Sequence, residues 1–413
     1  MVGKKGQYNM SVILKPGQAR IVEDACNWYY NSSEQVFEFA GLAGTGKSVV
    51  LYEIVKRLHL RPKNIMPMAY TGQASIIMRL KGFPNARSIH SNLYKFEKIP
   101  NEYQDNPFRN INTMLNSEKY HFVFSPINIG EIDPEVSLMI IDEGFMVPDS
   151  MKKDITKHGI KILVAGDSGQ LPPIGGNPAF LTGSNVRYLT ELVRQAQDNP
   201  IIYIAHRARQ GLPIHCGLYG NRVLVIEDRD LTNEMVLNVG NIICGTNKTR
   251  DMFNNTIRNL KGIDSPIPLF GERIICRNNN WNEELDGIAL ANGLSGYVTS
   301  PYDISRYNRN QYMLDFLPDL LNTPFKNINI DYEYLTSPYD IRQQMKNNKM
   351  YSNGEKFEFA YALTTHLSQG AEYPCGIYYE EFLRSNIQNQ LNYTGVTRFK
   401  EFFIYVKKTR KYY

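Results

Sequence analysis

Apolar and polar residues alternate along this chain in two regular ways. Short apolar runs, typical of strands buried on both faces, occur at residues 36–40, 64–70, 138–141 and 161–165. Between the first two runs, apolar residues recur at helical spacing over residues 49–60. Strands that alternate with amphipathic helices predict an α/β fold around a largely parallel sheet.

The same alternation returns in the second half of the chain. Residues 201–210 and 251–260 have helical spacing, and the runs at 223–226, 241–247 and 402–406 predict strands. Two α/β cores in tandem explain this pattern better than one long sheet, because each core has its own set of strands and helices.

Two segments interrupt the alternation. Both are rich in Tyr and Asn, and the first is punctuated by prolines. We expect each to be a module inserted into one core. The first should be a small β-ribbon with exposed aromatics such as Phe96, Tyr103, Phe108 and Phe124, although a surface excursion packed on itself is the alternative. The predicted parts are a first core (1–91 and 136–189) with insert 92–135, and a second core (190–298 and 357–413) with insert 299–356.

Composition restricts the function only mildly. The chain has 46 Lys and Arg against 41 Asp and Glu, and this net charge of +5 weakly favours an anionic partner. The 27 Tyr and 19 Phe include candidates for stacking on bases, although most must be core. Five scattered cysteines form no C-x-x-C pair, so we expect neither disulfides nor zinc, and a reducing cytoplasm fits. Neither a membrane-spanning run nor a signal peptide is expected.

The strongest chemical signal is the segment GLAGTGKS at residues 41–48. It fits G-x-x-x-x-G-K-[ST], the phosphate-binding P-loop, and lies between a predicted strand and a predicted helix as that motif requires. Backbone N–H groups of such a loop point inwards, and the helix N-terminus favours negative charge. We expect Lys47 to reach the β- and γ-phosphates of ATP and the Ser48 hydroxyl to bind Mg²⁺. The predicted phosphate cradle comprises Gly41, Gly44, Thr45, Gly46, Lys47 and Ser48.

Further polar residues follow predicted strands. One apolar strand ends in Asp142 and Glu143, the Walker B pattern, in which the first carboxylate contacts the metal and the second activates the attacking water. Gln170 follows the next strand, at the sheet edge where ligands bind, and its amide can sense a γ-phosphate. Gln18 in the first helix could pair with a donor and an acceptor on adenine, although position alone favours a solvated residue.

This order of motifs resembles superfamily 1 helicases, and within them the RecD/Dda branch, over nearly the whole chain. The resemblance implies two RecA-like P-loop NTPase domains in tandem, with an SH3-like second insert and a pin in the first. The motifs are Gln18, residues 41–48, 71–74 and 88–90, Asp142 with Glu143, residues 166–173, Arg194, residues 365–370 and residues 396–398.

The resemblance also implies residue roles. Arg194 and Arg398 would be arginine fingers that reach the phosphates from the second domain, although either arginine alone is as readily a salt bridge. Gln369 and Gly370 would contact the nucleotide. The residues expected to grip single-stranded DNA, or to couple it to ATP, are Thr71, His90, Thr364 and His366, of which His90 taken alone could equally be structural.

The implied activity is ATP-dependent DNA unwinding with 5′→3′ movement, in the cytoplasm of a bacterial or phage-infected cell. The implied partners of this monomer are single-stranded DNA, its junctions with duplex, and single-strand-binding, replication or recombination proteins. The chain departs from the family at Leu367, where a lysine is usual, and at Gly144, where a small hydroxyl residue is frequent. Two alternatives therefore stay open: a nucleic-acid-dependent NTPase that loads or remodels partners without separating strands, and an RNA-directed motor.

Overall fold

The computed structural model describes residues 13–100, 120–303, 311–347, 354–383 and 386–408. Within these ranges the chain forms two largely parallel sheets with helices, one five-stranded antiparallel sheet and two small two-stranded sheets. The predicted α/β class with two separate cores is confirmed. No helix in the described ranges is both long and apolar enough to cross a membrane.

The first domain is built on six parallel strands. Helices cover both faces of this sheet, so its central strands are apolar almost throughout. In spatial order the strands are β3 (Arg87–Ser88), β2 (Ile65–Ala69), β6 (Leu138–Asp142), β7 (Lys161–Gly166), β1 (Val36–Gly41) and β8 (Arg187–Leu189), and the helices are α1 (Pro16–Asn31), α2 (Lys47–Arg57), α3 (Gly72–Leu80), α4 (Ile89–Leu93) and α5 (Lys152–Thr156).

Helix α1 shows how sequence sets one of these elements. Pro16 begins it, where a fixed φ and a missing N–H cost nothing. Its buried face carries Ile21, Val22, Ala25 and Trp28, and each large apolar side chain contributes about 1.5–3 kcal/mol by burial. This face packs on the first sheet beside the P-loop helix and so fixes the region that holds the nucleotide loop.

A two-stranded antiparallel ribbon leaves the first domain after α4. Its strands are β4 (Tyr94–Pro100) and β5 (Tyr120–Pro126), and Phe96 lies opposite Phe124 in the register. A β-ribbon was predicted in this insert. Tyr103 and Phe108 lie outside the described residues, as do the side chains of Phe96 and Phe124, so their exposure stays a prediction.

The second domain is a six-stranded sheet with one antiparallel edge strand. Its core combines residues of the strands with the buried faces of four flanking helices. In spatial order the strands are β19 (Ala362–Thr364), β11 (Asn241–Cys244), β20 (Tyr373–Tyr379), β21 (Phe399–Lys407), β10 (Val223–Glu227) and β9 (Gly217–Tyr219), and the helices are α6 (Arg194–Gln197), α7 (Pro200–Gln210), α8 (Asn233–Asn238), α9 (Asn247–Leu260) and α12 (Gln388–Val396).

The antiparallel sheet includes more of the chain than the predicted insert 299–356. Its strand β12 (Arg273–Cys276) pairs with β15 (Ser295–Asp303) and with β18 (Phe357–Phe359), so the module extends from residue 273 to residue 359. Short apolar runs do not reveal which sheet they join, because strand pairing is a tertiary contact. The module also contains β13 (Asn280–Leu285), β14 (Ile288–Leu290), β16 (Gln311–Pro318), β17 (Phe325–Asp331), α10 (Tyr332–Thr336) and α11 (Tyr339–Asn347).

A buried ion cluster fastens this module to the second domain. The Glu358 carboxylate lies 2.9 Å from Arg250 of α9 and 3.3 Å from Arg277, and it accepts a hydrogen bond of 2.8 Å from Tyr334. Burial raises the pKa of Glu358, but Arg277, Arg250 and Arg342 outweigh burial and hold it at about 2. Removing one partner would leave an uncompensated buried charge, so the cluster fixes how the module sits on the domain.

Candidate active site

A cavity of about 410 Å³ opens between the two domains. On one side it is bounded by the carboxyl ends of the first sheet's strands, the edge where open α/β sheets bind ligands. The predicted residues that line it are Lys47, Ser48, Asp142, Glu143 and Gln170 of the first domain and Gly370 and Arg398 of the second, together with the loop glycines Gly44 and Gly46.

A side chain of helix α1 binds the backbone of the P-loop. Gly44 and Gly46 have φ of +84° and +81°, a region that glycine enters without steric cost. The Gln18 amide donates to the Thr45 carbonyl at 2.9 Å and accepts from the Lys15 N–H at 3.0 Å. Gln18 is buried, which rules out the solvated alternative, and it supports the loop directly. Its predicted contact with adenine stays a prediction.

Lys47 lines the cavity, and its ammonium group contacts the main chain at the start of the P-loop. Its Nζ donates to the Gly41 carbonyl at 2.7 Å and to the Leu42 carbonyl at 3.3 Å. The same atom lies 3.7 Å from the buried Asp167 carboxylate. Thr45 is not at the cavity, because its hydroxyl donates to the Leu42 carbonyl at 2.8 Å and closes the turn. The loop therefore presents one positive charge in a fixed place, as phosphate binding requires.

Asp142 and Glu143 lie side by side at the end of β6. The Glu143 N–H donates to Asp142 Oδ1 at 2.9 Å, and Glu143 has φ of +55°. A left-handed backbone at a glutamate is uncommon and is characteristic of functional sites. Burial and then the Asp142 charge raise the pKa of Glu143, while Lys47, Arg398 and Lys81 lower it. A carboxylate tuned upwards in this way is a better proton acceptor than an ordinary glutamate.

Gly144 explains one departure from the family. A Cβ at this position would lie 2.3 Å from Val164 Cγ1 on the neighbouring strand β7. Such a distance is far inside van der Waals contact, so a hydroxyl residue does not fit unless β6 and β7 separate. The glycine here is a consequence of tight packing beneath the carboxylates.

Gln170 lies in the loop after β7 with its side chain buried at the cavity. Its Oε1 has no hydrogen-bond partner among the residues that the structure describes. A buried acceptor left in this way costs about 1–3 kcal/mol, which a water or ligand hydroxyl at the cavity would recover. Gln170 is therefore placed to orient a small donor beside Glu143.

The donors present fit Mg²⁺. The Ser48 hydroxyl and the Asp142 carboxylate line the same cavity and are the hard oxygen ligands this ion prefers. No group of three or more His, Cys, Asp or Glu side chains able to hold a metal occurs in the described part of the chain. A site with so few protein ligands matches an ion that is also held by nucleotide phosphates and water.

Arg398 reaches the cavity from the start of β21. Its side chain is buried, and its guanidinium donates to the carbonyls of Thr394 at 3.0 Å and Ala371 at 3.3 Å, and to the Thr397 hydroxyl at 3.1 Å. These partners are neutral oxygens, so the charge of the arginine is available to the cavity. A guanidinium held in this way is suited to stabilise charge on a phosphate.

Arg194 begins helix α6, and its side chain lies outside the described residues. The preceding residue, Val193, donates its N–H to the Gly44 carbonyl at 2.9 Å. The main chain just before Arg194 therefore contacts the P-loop of the first domain. Its role as an arginine finger stays a prediction.

Two of the predicted DNA contacts follow strands of the first sheet. Thr71 caps helix α3, and its hydroxyl accepts from the Ala74 N–H at 3.1 Å. The ring of His90 lies 6.0 Å from that of Tyr70 and 5.3 Å from that of Tyr94, measured between centroids. Burial lowers the pKa of His90, so its imidazole is neutral at physiological pH.

The other two lie at the end of strand β19 of the second sheet, Thr364 as its last residue and His366 in the loop after it. Thr364 is buried, and its hydroxyl accepts from the Leu367 N–H at 3.3 Å. His366 is half-buried, and burial lowers its pKa. The structure thus places the four residues in two pairs on two domains, and their contacts with DNA stay predictions.

The loop after Thr364 connects the domains. The buried Gln369 side chain donates to the Leu171 carbonyl at 3.0 Å and does not line the cavity, whereas Gly370 does. Leu367, in place of the usual lysine, packs on the core of the second domain together with Leu42 of the P-loop. At this position the chain has an apolar contact with the core of its own domain where superfamily 1 helicases usually have a lysine.

Sequence reasoning missed an ion triad at the cavity. Glu372 lies 3.1 Å from Lys81 of the first domain and 3.2 Å from Lys400 of the second. Burial raises the pKa of Glu372, but the two lysines outweigh burial and lower it to about 2. The only signal in the sequence was the position of Glu372 two residues after Gly370, and nothing indicated Lys81.

Fold and site together define a P-loop NTPase with two RecA-like domains. The chain belongs to the AAA domain family, whose profile matches residues 13–228, and membership of this family implies nucleotide binding. An ATP-dependent RecD2 DNA helicase of Deinococcus radiodurans is 36% identical over 80 residues, which cover 18% of this chain and 11% of that protein. The chain thus spans about a tenth of the length of this curated relative.

Solved structures of Pif1 helicases share the fold. One, described for DNA unwinding at forked double-stranded DNA by two coordinating Pif1 helicases, is 18% identical, with a TM-score of 0.56 over 95% of this chain and 92% of the other. Bacteroides Pif1 bound to single-stranded DNA is also 18% identical, with a TM-score of 0.52 over 96% and 92%. The predicted resemblance to superfamily 1 helicases of the RecD type, with tandem RecA-like domains, is confirmed.

Proposed function

We propose that this chain is an ATP-dependent DNA helicase that moves along single-stranded DNA and separates duplex. One observation carries the proposal: a single cavity between two RecA-like domains brings Lys47 and Glu143 of one together with Arg398 of the other. A site shared between domains is sensitive to their separation, so chemistry in it is coupled to their relative movement.

Each side chain has a role in hydrolysis that its position supports. Lys47 and the P-loop N–H groups hold the phosphates, and Glu143 accepts the proton of the attacking water that Gln170 orients. Arg398 stabilises the charge that develops on the transferred phosphoryl group. Mg²⁺, when held by Ser48 and Asp142, would neutralise phosphate charge.

Movement follows if the two domains bind DNA with different affinities in the two nucleotide states. The pairs Thr71 with His90, and Thr364 with His366, lie on separate domains, so closure would change the spacing between two DNA grips. The relatives support this substrate, because Bacteroides Pif1 is described bound to single-stranded DNA. The proposed direction is 5′→3′, and the proposed partners are junctions and single-strand-binding or replication and recombination proteins.

The test measures strand displacement on duplexes with a 5′ tail or a 3′ tail, made of DNA or RNA, with ATP. We expect displacement only of the 5′-tailed DNA duplex. Lys47→Ala should abolish both ATP hydrolysis and displacement, because it removes the charge that holds the phosphates. Lys63→Ala is the matched control, since Lys63 pairs with Glu135 on the exposed surface away from the cavity. DNA-stimulated hydrolysis that survives Lys47→Ala would contradict the proposal.

A second function has one observation in its favour. Leu367 packs against the domain core where the family has a lysine, so a contact with the DNA backbone or a coupling interaction is replaced by an apolar one. A chain that hydrolyses ATP on DNA but displaces no strand would be a loading or remodelling NTPase. Displacement of the RNA duplex alone would identify the RNA-directed motor.

A further inference from the structure

Tyr393 belongs to the second domain, but its hydroxyl group contacts residues of the first domain. Its ring is fully buried in the core of the second domain, in helix α12. Its hydroxyl donates to Asp167 Oδ2 at 2.6 Å and accepts from the Ala43 N–H at 2.7 Å. Both partners belong to the first domain and line the cavity, so this one oxygen joins the two domains next to the cavity.

Both partners belong to the phosphate-binding machinery. Ala43 supplies one of the P-loop amides, and the Asp167 oxygen that accepts from Tyr393 also lies 3.7 Å from Lys47 Nζ. The second oxygen of Asp167 accepts from the Gly169 N–H at 2.9 Å, so the carboxylate is fixed by the loop that carries Gln170. Burial and the Asp167 charge raise the pKa of Tyr393 well above its usual value, which keeps the hydroxyl protonated as a donor.

The same helix leads directly to Arg398. The Thr394 carbonyl accepts from Arg398 Nε at 3.0 Å, and the Thr394 hydroxyl accepts from the Leu171 N–H at 2.9 Å. Tyr393 and Thr394 therefore bind the P-loop and the loop at 167–171 of the first domain, and the Thr394 carbonyl also binds Arg398. Buried hydrogen bonds thus connect the P-loop and the loop at 167–171 to the guanidinium through two consecutive residues of α12.

We propose that Tyr393 is a positioning residue that sets Arg398 relative to the phosphates by binding the P-loop amide and Asp167. The inference rests on the proposed ATPase function and goes beyond it, since it assigns coupling between the domains to one hydroxyl. A small misplacement of a charge in a closed site can reduce the rate by about a hundredfold, whereas loss of an ordinary buried hydrogen bond affects stability alone.

The test compares Tyr393→Phe with Tyr378→Phe. Tyr378 is also fully buried, and its hydroxyl donates to Asn392 of the same helix at 2.8 Å, but it makes this bond within the second domain. We expect Tyr393→Phe to lower the kcat of DNA-stimulated ATP hydrolysis by about tenfold to a hundredfold, with the KM for ATP changed by less than about threefold. Tyr378→Phe should keep the wild-type kcat. A wild-type kcat in Tyr393→Phe, or an equal loss in both variants, would overturn the inference.

If either variant is less stable than the wild type, a double-mutant cycle separates the interaction between two residues from the general loss of stability. Asp167→Asn puts an amide NH2 group in place of the Oδ2 that accepts from Tyr393, because Oδ1 still accepts from the Gly169 N–H, and it leaves α12 unchanged. Its effect on kcat should therefore be strongly non-additive with that of Tyr393→Phe and additive with that of Tyr378→Phe. Additive effects of Asp167→Asn and Tyr393→Phe would overturn the inference. ATP hydrolysis can be measured without strand separation. A wild type that hydrolyses ATP but separates no duplex would therefore refute helicase activity, while the kcat values of the variants would still test the role of Tyr393. A wild type without ATPase activity overturns both.

Discussion

The two RecA-like domains face the same cavity with opposite edges of their sheets. In the first, Gly41 ends β1, Asp142 ends β6 and Asp167 follows β7, so the carboxyl ends of the strands form the wall. In the second, Glu372 immediately precedes β20 and Arg398 immediately precedes β21, so the amino ends form the wall. The two domains share a fold, but they do not contribute equivalent surfaces.

This difference indicates separate roles for the two domains: the first binds the nucleotide, and the second adds the charged side chains needed for hydrolysis. Loops at carboxyl ends offer backbone N–H groups, a helix N-terminus and the hydroxyl and carboxylate oxygens of Ser48 and Asp142, a combination that suits a triphosphate with its metal ion. The amino edge contributes to the cavity the charged side chains of Arg398 and Lys400, both of which belong to the second domain. Nucleotide affinity should therefore depend on the first domain, and the rate of hydrolysis on both.

The substitution with the largest expected effect is at Arg398, and it tests whether affinity and rate depend on different domains. If Arg398 is the arginine finger proposed above, Arg398→Ala should lower the kcat for ATP hydrolysis by about a thousandfold, because such a residue acts on charge present only in the transition state. The Kd for ATP should change by less than about threefold, since the first domain holds the phosphates. Steady-state hydrolysis and titration with a fluorescent ATP analogue give the two values.

Arg229→Ala is the control for that experiment. Arg229 lies on the surface of the second domain with its side chain 74% exposed, and it pairs with Glu227 at 3.0 Å. It should leave both kcat and Kd unchanged. A Kd that rises in parallel with the loss of kcat in Arg398→Ala would show that the second domain also binds the ground state, and the separation of roles would be wrong.

The next effect concerns the packing that fixes the first wall. Gly144→Ser, which restores the hydroxyl residue frequent in the family, should destabilise the first domain by about 1–3 kcal/mol, because the new Cβ would overlap Val164. Gly183→Ser is the matched control, since its nearest atom, the amide N of Asn185, lies 4.0 Å from the added Cβ. Thermal unfolding of the two variants should differ by several degrees. Equal transitions would mean that β6 and β7 separate without cost.

The carboxyl edge could be predicted from sequence because strand and functional residue are consecutive there. An apolar run followed by Asp142 and Glu143, or the glycine pattern before Lys47, identifies position and chemistry together. The amino edge carries weaker signals, since Arg398 was found only through the resemblance and Lys400 was missed. Ala43 and Tyr393 are 350 residues apart, and no local pattern indicates that they meet. For the same reason no local pattern indicates that residues 273–276 pair with strands of the antiparallel sheet.

The smallest expected effect tests the charged contact between the two walls. Lys81 of the first and Lys400 of the second both pair with Glu372, whose pKa they lower to about 2 against burial. Glu372→Gln removes these pairs and should lower the free energy of unfolding by about 1 kcal/mol at neutral pH, because the triad is partly exposed. Glu135→Gln, which removes the more exposed Lys63–Glu135 pair within the first domain, should cost less.

The pH dependence identifies the cause of that effect. The folded pKa of Glu372 lies below the ordinary value of 4.5, so the ionised carboxylate stabilises the folded chain above 4.5 and loses this contribution as the pH falls towards 2. Wild type and Glu372→Gln should therefore differ most at neutral pH and converge in acid, because a protonated glutamate and a glutamine then carry the same charge. Thermal unfolding across this range measures the convergence. A difference that is constant with pH would mean that Glu372 acts through packing, and that the two walls are held together by the buried hydrogen bonds of Tyr393, Thr394 and Gln369 without help from charge.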